Sequence, residues 1–161
     1  MDMFSELPDN MTYEERAILF LETLAGYLDK NLPRMTNLSN FAAIVKAFYP
    51  ELNWAGFYLL ESSRLFLGPF QGLPACVSID IGRGVCGLAA ETRETIVVDD
   101  VTEFLGHIAC DSLSCSEMVI PVLLENKLIG VLDLDSPEPR HFGEKERVLF
   151  MKAVNVLVDF L

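Results

Sequence analysis

The sequence predicts an α+β domain with a mainly antiparallel sheet. Three observations carry this: helical periodicity at both ends, two apolar β-hairpins between them, and a glycine-rich turn with a short helical stretch at the centre. The first helix is expected from Thr12 to about Lys30, because Thr12 and Glu15 form a capping-box pair. Ile18, Leu21, Ala25 and Leu28 then recur at helical spacing. A second helix is expected from near Asn37 to Tyr49, with Asn37 or Ser39 as its cap and Pro50 as its stop.

Trp54 to Leu60 and Leu65 to Phe70 read as strands joined by a Ser62-Ser63-Arg64 turn. Ala75 to Ile81 reads as a third strand. Gly82 to Gly87 is a glycine-rich turn that leads into helix to about Thr92, and Thr95 to Val98 is a fourth strand. Residues 99–115 form a loop of a length that usually carries function. Glu117 to Leu124 and Lys127 to Asp135 form the second hairpin across Glu125-Asn126. Pro121 argues for an edge or a bulge in the first of these strands. The last helix, Glu144 to Leu161, carries an apolar stripe of Val148, Met151, Val154 and Val158.

Residues 1–10 read as a lead-in and 11–161 as one domain, since 161 residues suit a single core. Twelve Lys and Arg stand against 24 Asp and Glu, a net charge of −12. Such a chain repels phosphate backbones, which excludes nucleic acid and anionic membrane surfaces as partners and favours a cationic or zwitterionic one. The N-terminus has neither a basic stretch nor an apolar one, and the longest apolar run, Met118 to Leu124, is too short to span a bilayer. A cytoplasmic protein is therefore expected, whose four cysteines are inert, metal-bound or redox-active rather than structurally bridged.

Gly82-Arg83-Gly84-Val85-Cys86-Gly87 satisfies the G-x-G-x-x-G pattern of dinucleotide sites. The helix after it is too short for a crossover, and hairpins follow, so a tight turn is the better reading. Cys76, Cys86 and Cys110 come from three different elements without zinc-knuckle spacing. A tetrahedral site from His107, Cys110, Cys76 and Cys86 has no support in that spacing, so no metal and no organic cofactor is expected. Cys86 suits a buried apolar environment beside Val85 and Leu88. Cys110 does not, in the polar loop HIACDSLSCSE. A loop thiol with a second thiol in reach meets the requirement for attack followed by disulfide formation. The partner could be Cys76, Cys86 or Cys115.

Asp133 and Asp135 lie two apart in a strand and share a face. They sit either at a solvated sheet end or, with Glu117, in a pocket that holds an ammonium group and supplies a proton. Trp54 and Tyr58, four apart, share a strand face and could wall such a pocket.

The segments NWAGFYLLE (53–61), LGPFQG (67–72), ACVSIDIGRGVCG (75–87), GHIACD (106–111) and SEMVIPVL…IGVLDLDS (116–136) resemble the free methionine-(R)-sulfoxide reductases, single-domain enzymes on the GAF fold. The resemblance implies a six-stranded antiparallel sheet with helices packed on it. It also implies reduction of free methionine-(R)-sulfoxide to methionine, with thioredoxin as reductant. Carried over by motif, Cys110 is the nucleophile, Cys76 resolves it and Cys86 is an auxiliary thiol. Glu117, Asp133 and Asp135 match the substrate-binding acids, and Trp54 and Tyr58 the pocket aromatics. Cys115 falls outside the three-cysteine pattern. The alternative is a non-catalytic GAF module that senses a small ligand or nucleotide. The stripe near Val154 would allow a homodimer through the terminal helices.

Overall fold

The computed structural model describes residue 7 and residues 10–108 and 111–161. The elements run α1 (Tyr13–Tyr27), α2 (Arg34–Phe48), β1 (Trp54–Glu61), β2 (Arg64–Gln71), β3 (Ser78–Asp80), α3 (Gly84–Thr92), β4 (Ile96–Val98), β5 (Ser116–Leu124), β6 (Lys127–Ser136) and α4 (Glu144–Val158). A 3₁₀ turn, Val101–Glu103, follows β4. The strands form one six-stranded sheet in the order β3-β2-β1-β6-β5-β4, every pairing antiparallel. The predicted fold class is the observed one.

Alternation along the strands divides the interior in two. Ala55 and Phe57 of β1, Leu132 and Leu134 of β6, and Met118 and Ile120 of β5 face α1, α2 and α4 and make the larger core. Phe20, Phe48, Tyr49 and Phe150 meet there with ring centroids 5.1–5.8 Å apart. The opposite face carries Trp54, Tyr58, Val119 and Val131 and is covered by α3, which contributes Val85, Cys86, Ala89 and Ala90. A short helix covers only part of a sheet face, so a pocket remains beside it.

Thr12 caps α1 as expected: its Oγ1 accepts from Glu15 N at 3.2 Å and Glu15 Oε2 accepts from Thr12 N at 2.8 Å. The second helix differs from the sequence reading. It starts at Arg34, with Pro33 in the cap position and no side-chain cap. Asn37 is a fully buried residue of α2 instead. Its Nδ2 donates to Asp29 O and Phe160 O, both at 2.9 Å, which ties the α1–α2 turn to the C-terminus. Ser39 donates to Met35 O within the helix.

Both terminal helices bury only part of the predicted stripe: Leu28, just past α1, and Val154 of α4 lie in the core, with Leu21, Met151 and Val158 packed against it. Phe20 and Leu24 of α1 are buried while Ile18 is 59% exposed. Leu149, Phe150, Ala153, Val154 and Leu157 of α4 are buried while Val148 is 40% exposed. Residues two apart point to nearly opposite sides of a helix, so Ile18 and Val148 face away from the core that Phe20 and Phe150 enter. The third strand shortens to three residues, Ser78–Asp80.

Pro121 lies in β5 opposite Val131, but β4 reaches only as far as Ile96 opposite Val119. On that side Pro121 has no partner strand, so the missing N–H leaves no gap in a ladder. A register shift between Val122 and Leu123 follows it. Glu125 and Asn126 both take positive φ, 48° and 62°, as a two-residue hairpin turn requires.

Candidate functional site

Strand register assembles the site. β1 pairs with β6 so that Trp54 lies opposite Asp135 and Gly56 opposite Asp133. β6 pairs with β5 so that Asp135 lies opposite Glu117 and Asp133 opposite Val119. Glu117, Asp133, Asp135, Trp54 and Tyr58 therefore share the face that α3 leaves partly open, and all five line one pocket. None of the acids is at a solvated sheet end: Glu117, Asp133 and Asp135 are 6%, 6% and 8% exposed.

The aromatics form a stacked wall. Trp54 stacks on Phe70 at 5.3 Å and on Tyr58 at 5.9 Å between centroids. Each spends its polar atom outside the pocket: Trp54 Nε1 donates to Leu73 O at 3.1 Å and Tyr58 Oη to Cys76 O at 3.0 Å. What remains facing the cavity is ring surface.

The acids are hydrogen-bonded to one another and to a thiol. Asp133 bonds both the Cys86 thiol and Glu117, and Asp135 bonds Ser114. Glu117 Oε2 lies 3.1 Å from His107 Nε2. Asp133 Oδ1 is buried without a partner. Burial pushes all three carboxyls well above the usual range, and the neighbouring acids push them further: Asp135 on Glu117, Glu117 on Asp133, and Asp133 on Asp135. Burial also holds the Cys86 thiol far up, helped by Asp133 and Glu117, and pushes His107 down. Burial and mutual repulsion thus favour the protonated forms in this cluster, which gives it protons to donate and makes it receptive to a cation.

The turn over residues 82–87 holds no crossover. Gly82 and Gly84 take positive φ of 79° and 63°, and a Cβ on Gly87 would fall 2.4 Å from Asp80 O. These glycines bring α3 against β3, and with it Cys86 against Asp133. That closeness is a packing device, in line with the tight-turn reading.

Cys86 and Cys115 are free thiols, and Cys76 is disulfide-bonded. Cys110, the expected nucleophile, lies outside the described residues, as does nearly all of the 1–10 lead-in. Its neighbours on either side, His107, Ile108, Asp111 and Ser114, line the pocket. The four-ligand cluster of His107, Cys110, Cys76 and Cys86 includes Cys110 and so falls partly outside the described residues. The group that converges there is Cys86, Glu117 and Asp133.

The GAF domain pattern matches residues 13–158. The chain belongs to the GAF-domain family. Its relatives include a free methionine-R-sulfoxide reductase of Escherichia coli (strain K12), 51% identical over 112 residues, which span 70% of this chain and 68% of the relative. Another, from Saccharomyces cerevisiae (strain ATCC 204508 / S288c), is 37% identical over 156 residues, 92% of this chain and 87% of the relative. An X-ray structure of a free methionine-R-sulfoxide reductase from Neisseria meningitidis in complex with its substrate superposes with a TM-score of 0.83. It is 37% identical, with 98% of this chain and 92% of that one covered.

This GAF pocket contains groups that sequence reasoning passed over. Arg83, exposed in the glycine turn, brings the one permanently cationic side chain among the described lining residues. Asp111 and Ser114 are tied to β1 by Asn53, whose Nδ2 donates to Asp111 Oδ2 and Ser114 Oγ, both at 3.0 Å. His107 carried a weak signal, three residues before Cys110. Nothing in the spacing of Asn53 or Arg83 points to the pocket. No helix among the described residues is long and apolar enough to cross a membrane.

Proposed function

We propose that this chain, as one catalytic domain over residues 11–161, reduces free L-methionine-(R)-sulfoxide to methionine. One observation carries the reading: three carboxyls from two neighbouring strands are buried beside a stacked aromatic wall, in a chain that is 51% identical over 112 residues to a free methionine-R-sulfoxide reductase. Buried acids accept an ammonium group far more readily than a neutral ligand, because pairing relieves their desolvation. The rings of Trp54 and Tyr58 suit the apolar body of the same small molecule.

In this reading the Cys110 thiolate attacks the sulfoxide sulfur. A protonated acid of the network gives its proton to the departing oxygen; Glu117, bonded to both Asp133 and His107, and Asp135 are the candidates. The oxygen leaves as water, water then adds to the Cys110 sulfur of the thiosulfonium that remains, methionine is expelled, and Cys110 becomes a sulfenic acid. Cys76 condenses with it, releasing water and forming a disulfide. A thioredoxin-type dithiol then reduces that bond in the cytoplasm. The disulfide at Cys76, with Cys86 and Cys115 free, supports Cys76 as the resolver. Cys86 is a poor candidate, since burial, with Asp133 and Glu117 beside it, disfavours its thiolate, the nucleophilic form. No metal or organic cofactor enters these steps. Pairing of two copies through α1 and α4 is part of the proposal, on the exposed apolar positions Ile18 and Val148.

The test is direct. Purified protein, free methionine sulfoxide and a thioredoxin system should consume NADPH, with the R epimer lost. Cys110→Ser should abolish even a single turnover. Cys76→Ser should release one equivalent of methionine and then stall. A ligand-sensing GAF module would consume nothing and yield no sulfenic acid.

A further inference from the structure

Cys86 Sγ and one carboxylate oxygen each from Glu117 and Asp133 lie within 4.8 Å of one another. They come from three elements, α3, β5 and β6, and all three residues are buried. The cluster is more than a group of acids, because it includes a soft sulfur donor. It also has a vacant lone pair: Asp133 is 6% exposed, lines the pocket, and its Oδ1 has no hydrogen-bond partner. His107 Nε2 sits 3.1 Å behind Glu117 Oε2, the kind of outer contact that fixes a ligating carboxylate.

We propose that Cys86, Glu117 and Asp133 form a site for a thiophilic divalent cation, zinc, with water as the fourth ligand. One thiolate and two carboxylates suit zinc better than magnesium or calcium, which take oxygen sets. Bonds of about 2.0–2.3 Å place tetrahedral ligand atoms about 3.6 Å apart, so these side chains need to close by about an ångström. The pocket encloses about 20 Å3, room for an ion but not for an amino acid. Binding displaces the protons that the thiol and carboxyls hold, and two positive charges then offset three negative ones. That the ion also keeps substrate out rests on the function proposed above; its binding does not.

The test uses Co2+ alone as probe, added to oxidised protein, in which Cys86 and Cys115 are free and Cys76 is bridged. One equivalent should bind and give a near-ultraviolet thiolate-to-cobalt charge-transfer band that zinc then bleaches. Cys86→Ser should remove the band. Asp133→Asn, a near-isosteric change, should weaken binding at least about 10-fold. Cys115→Ser should change neither. A band that survives Cys86→Ser, or vanishes in Cys115→Ser, overturns the proposal, as does the absence of any band in folded wild-type protein. None of these readouts depends on whether the protein reduces methionine sulfoxide.

Discussion

His107 Nε2 lies 3.1 Å from Glu117 Oε2, in a setting that disfavours charge on both partners. Geometry alone would pass it as a salt bridge. Burial decides otherwise, since it lowers the basicity of His107 and raises the Glu117 carboxyl together with Asp135. Both groups resist charge, so one proton between them serves better than two charges. Asp133 continues the line inward to Cys86. A four-membered path thus runs from the half-buried imidazole to the floor of the pocket.

If Glu117 supplies the proton, His107 positions and resupplies it. His107→Ala should then lower kcat about 10-fold or more with little change in KM, and should move the pH midpoint of kcat. His107→Gln retains a polar partner for Glu117 and should bring the midpoint back. A purely structural histidine would leave the pH profile of both variants unchanged.

The acids also govern stability against pH. Glu117, Asp133 and Asp135 each hold a proton more tightly folded than unfolded. Their contribution is complete below about pH 4, the unfolded carboxyl range, and is lost as pH rises through the folded values. His107 works in the opposite direction, with stability gained as pH rises toward about 6.5. Above that pH the acids govern, joined by the buried Cys86 thiol as pH passes the ordinary thiol range of about 8.5. Thermal midpoints should fall between about pH 7 and pH 9, and Asp133→Asn should flatten the fall. A relief of about 1 kcal/mol at pH 8 would raise the midpoint there by about 3 °C. A variant that melts lower than wild type across this range would contradict the account.

Much of this was legible from residue order, for reasons that differ by element. The capping box at Thr12 and Glu15 is local chemistry, and it forms as read. Two-residue spacing fixed Asp133 and Asp135 on one face, because a pleated strand allows nothing else. Whether that face was wet could not be read, since it depends on α3 lying over the sheet. Leu28 and Val154 were read correctly as core, but Ile18 and Val148 were not, because each helix carries apolar residues on more than one side and only packing on the sheet selects Phe20 and Phe150. Asn37 looked like a cap because its real partners, Asp29 O and Phe160 O, are 8 and 123 residues away. Asn53 was invisible for the same reason: its partners are 58 and 61 residues on.

Trp54 is the only tryptophan, and it lines the pocket, so its fluorescence reports occupancy without a label. With Cys76 bridged, the space beside it is about 20 Å3, close to one water. Titration with free methionine sulfoxide should change Trp54 emission in reduced protein carrying Cys110→Ser, which binds but cannot turn over. The same titration of oxidised wild type should give a response at least about 10-fold weaker, since an amino acid cannot enter until a wall moves. Equal curves would mean that the narrow pocket is not what controls entry.

The approach of α3 to β3 gives the last prediction. A methyl group on Gly87 would lie 2.4 Å from Asp80 O, and that oxygen is main chain, which cannot swing aside. Gly87→Ala must therefore push α3 away from the sheet. The local cost is about 1–3 kcal/mol, as for other overpacked contacts. The consequence reaches further, because α3 carries Cys86 and sets its hydrogen bond to Asp133. The variant should melt several degrees lower and also lose kcat/KM. Gly26→Ala, on the exposed side of α1 with nothing within 4 Å of the new methyl, should keep full activity and be slightly more stable. If Gly87→Ala loses stability but retains wild-type kcat/KM, the seating of α3 does not tune the acids.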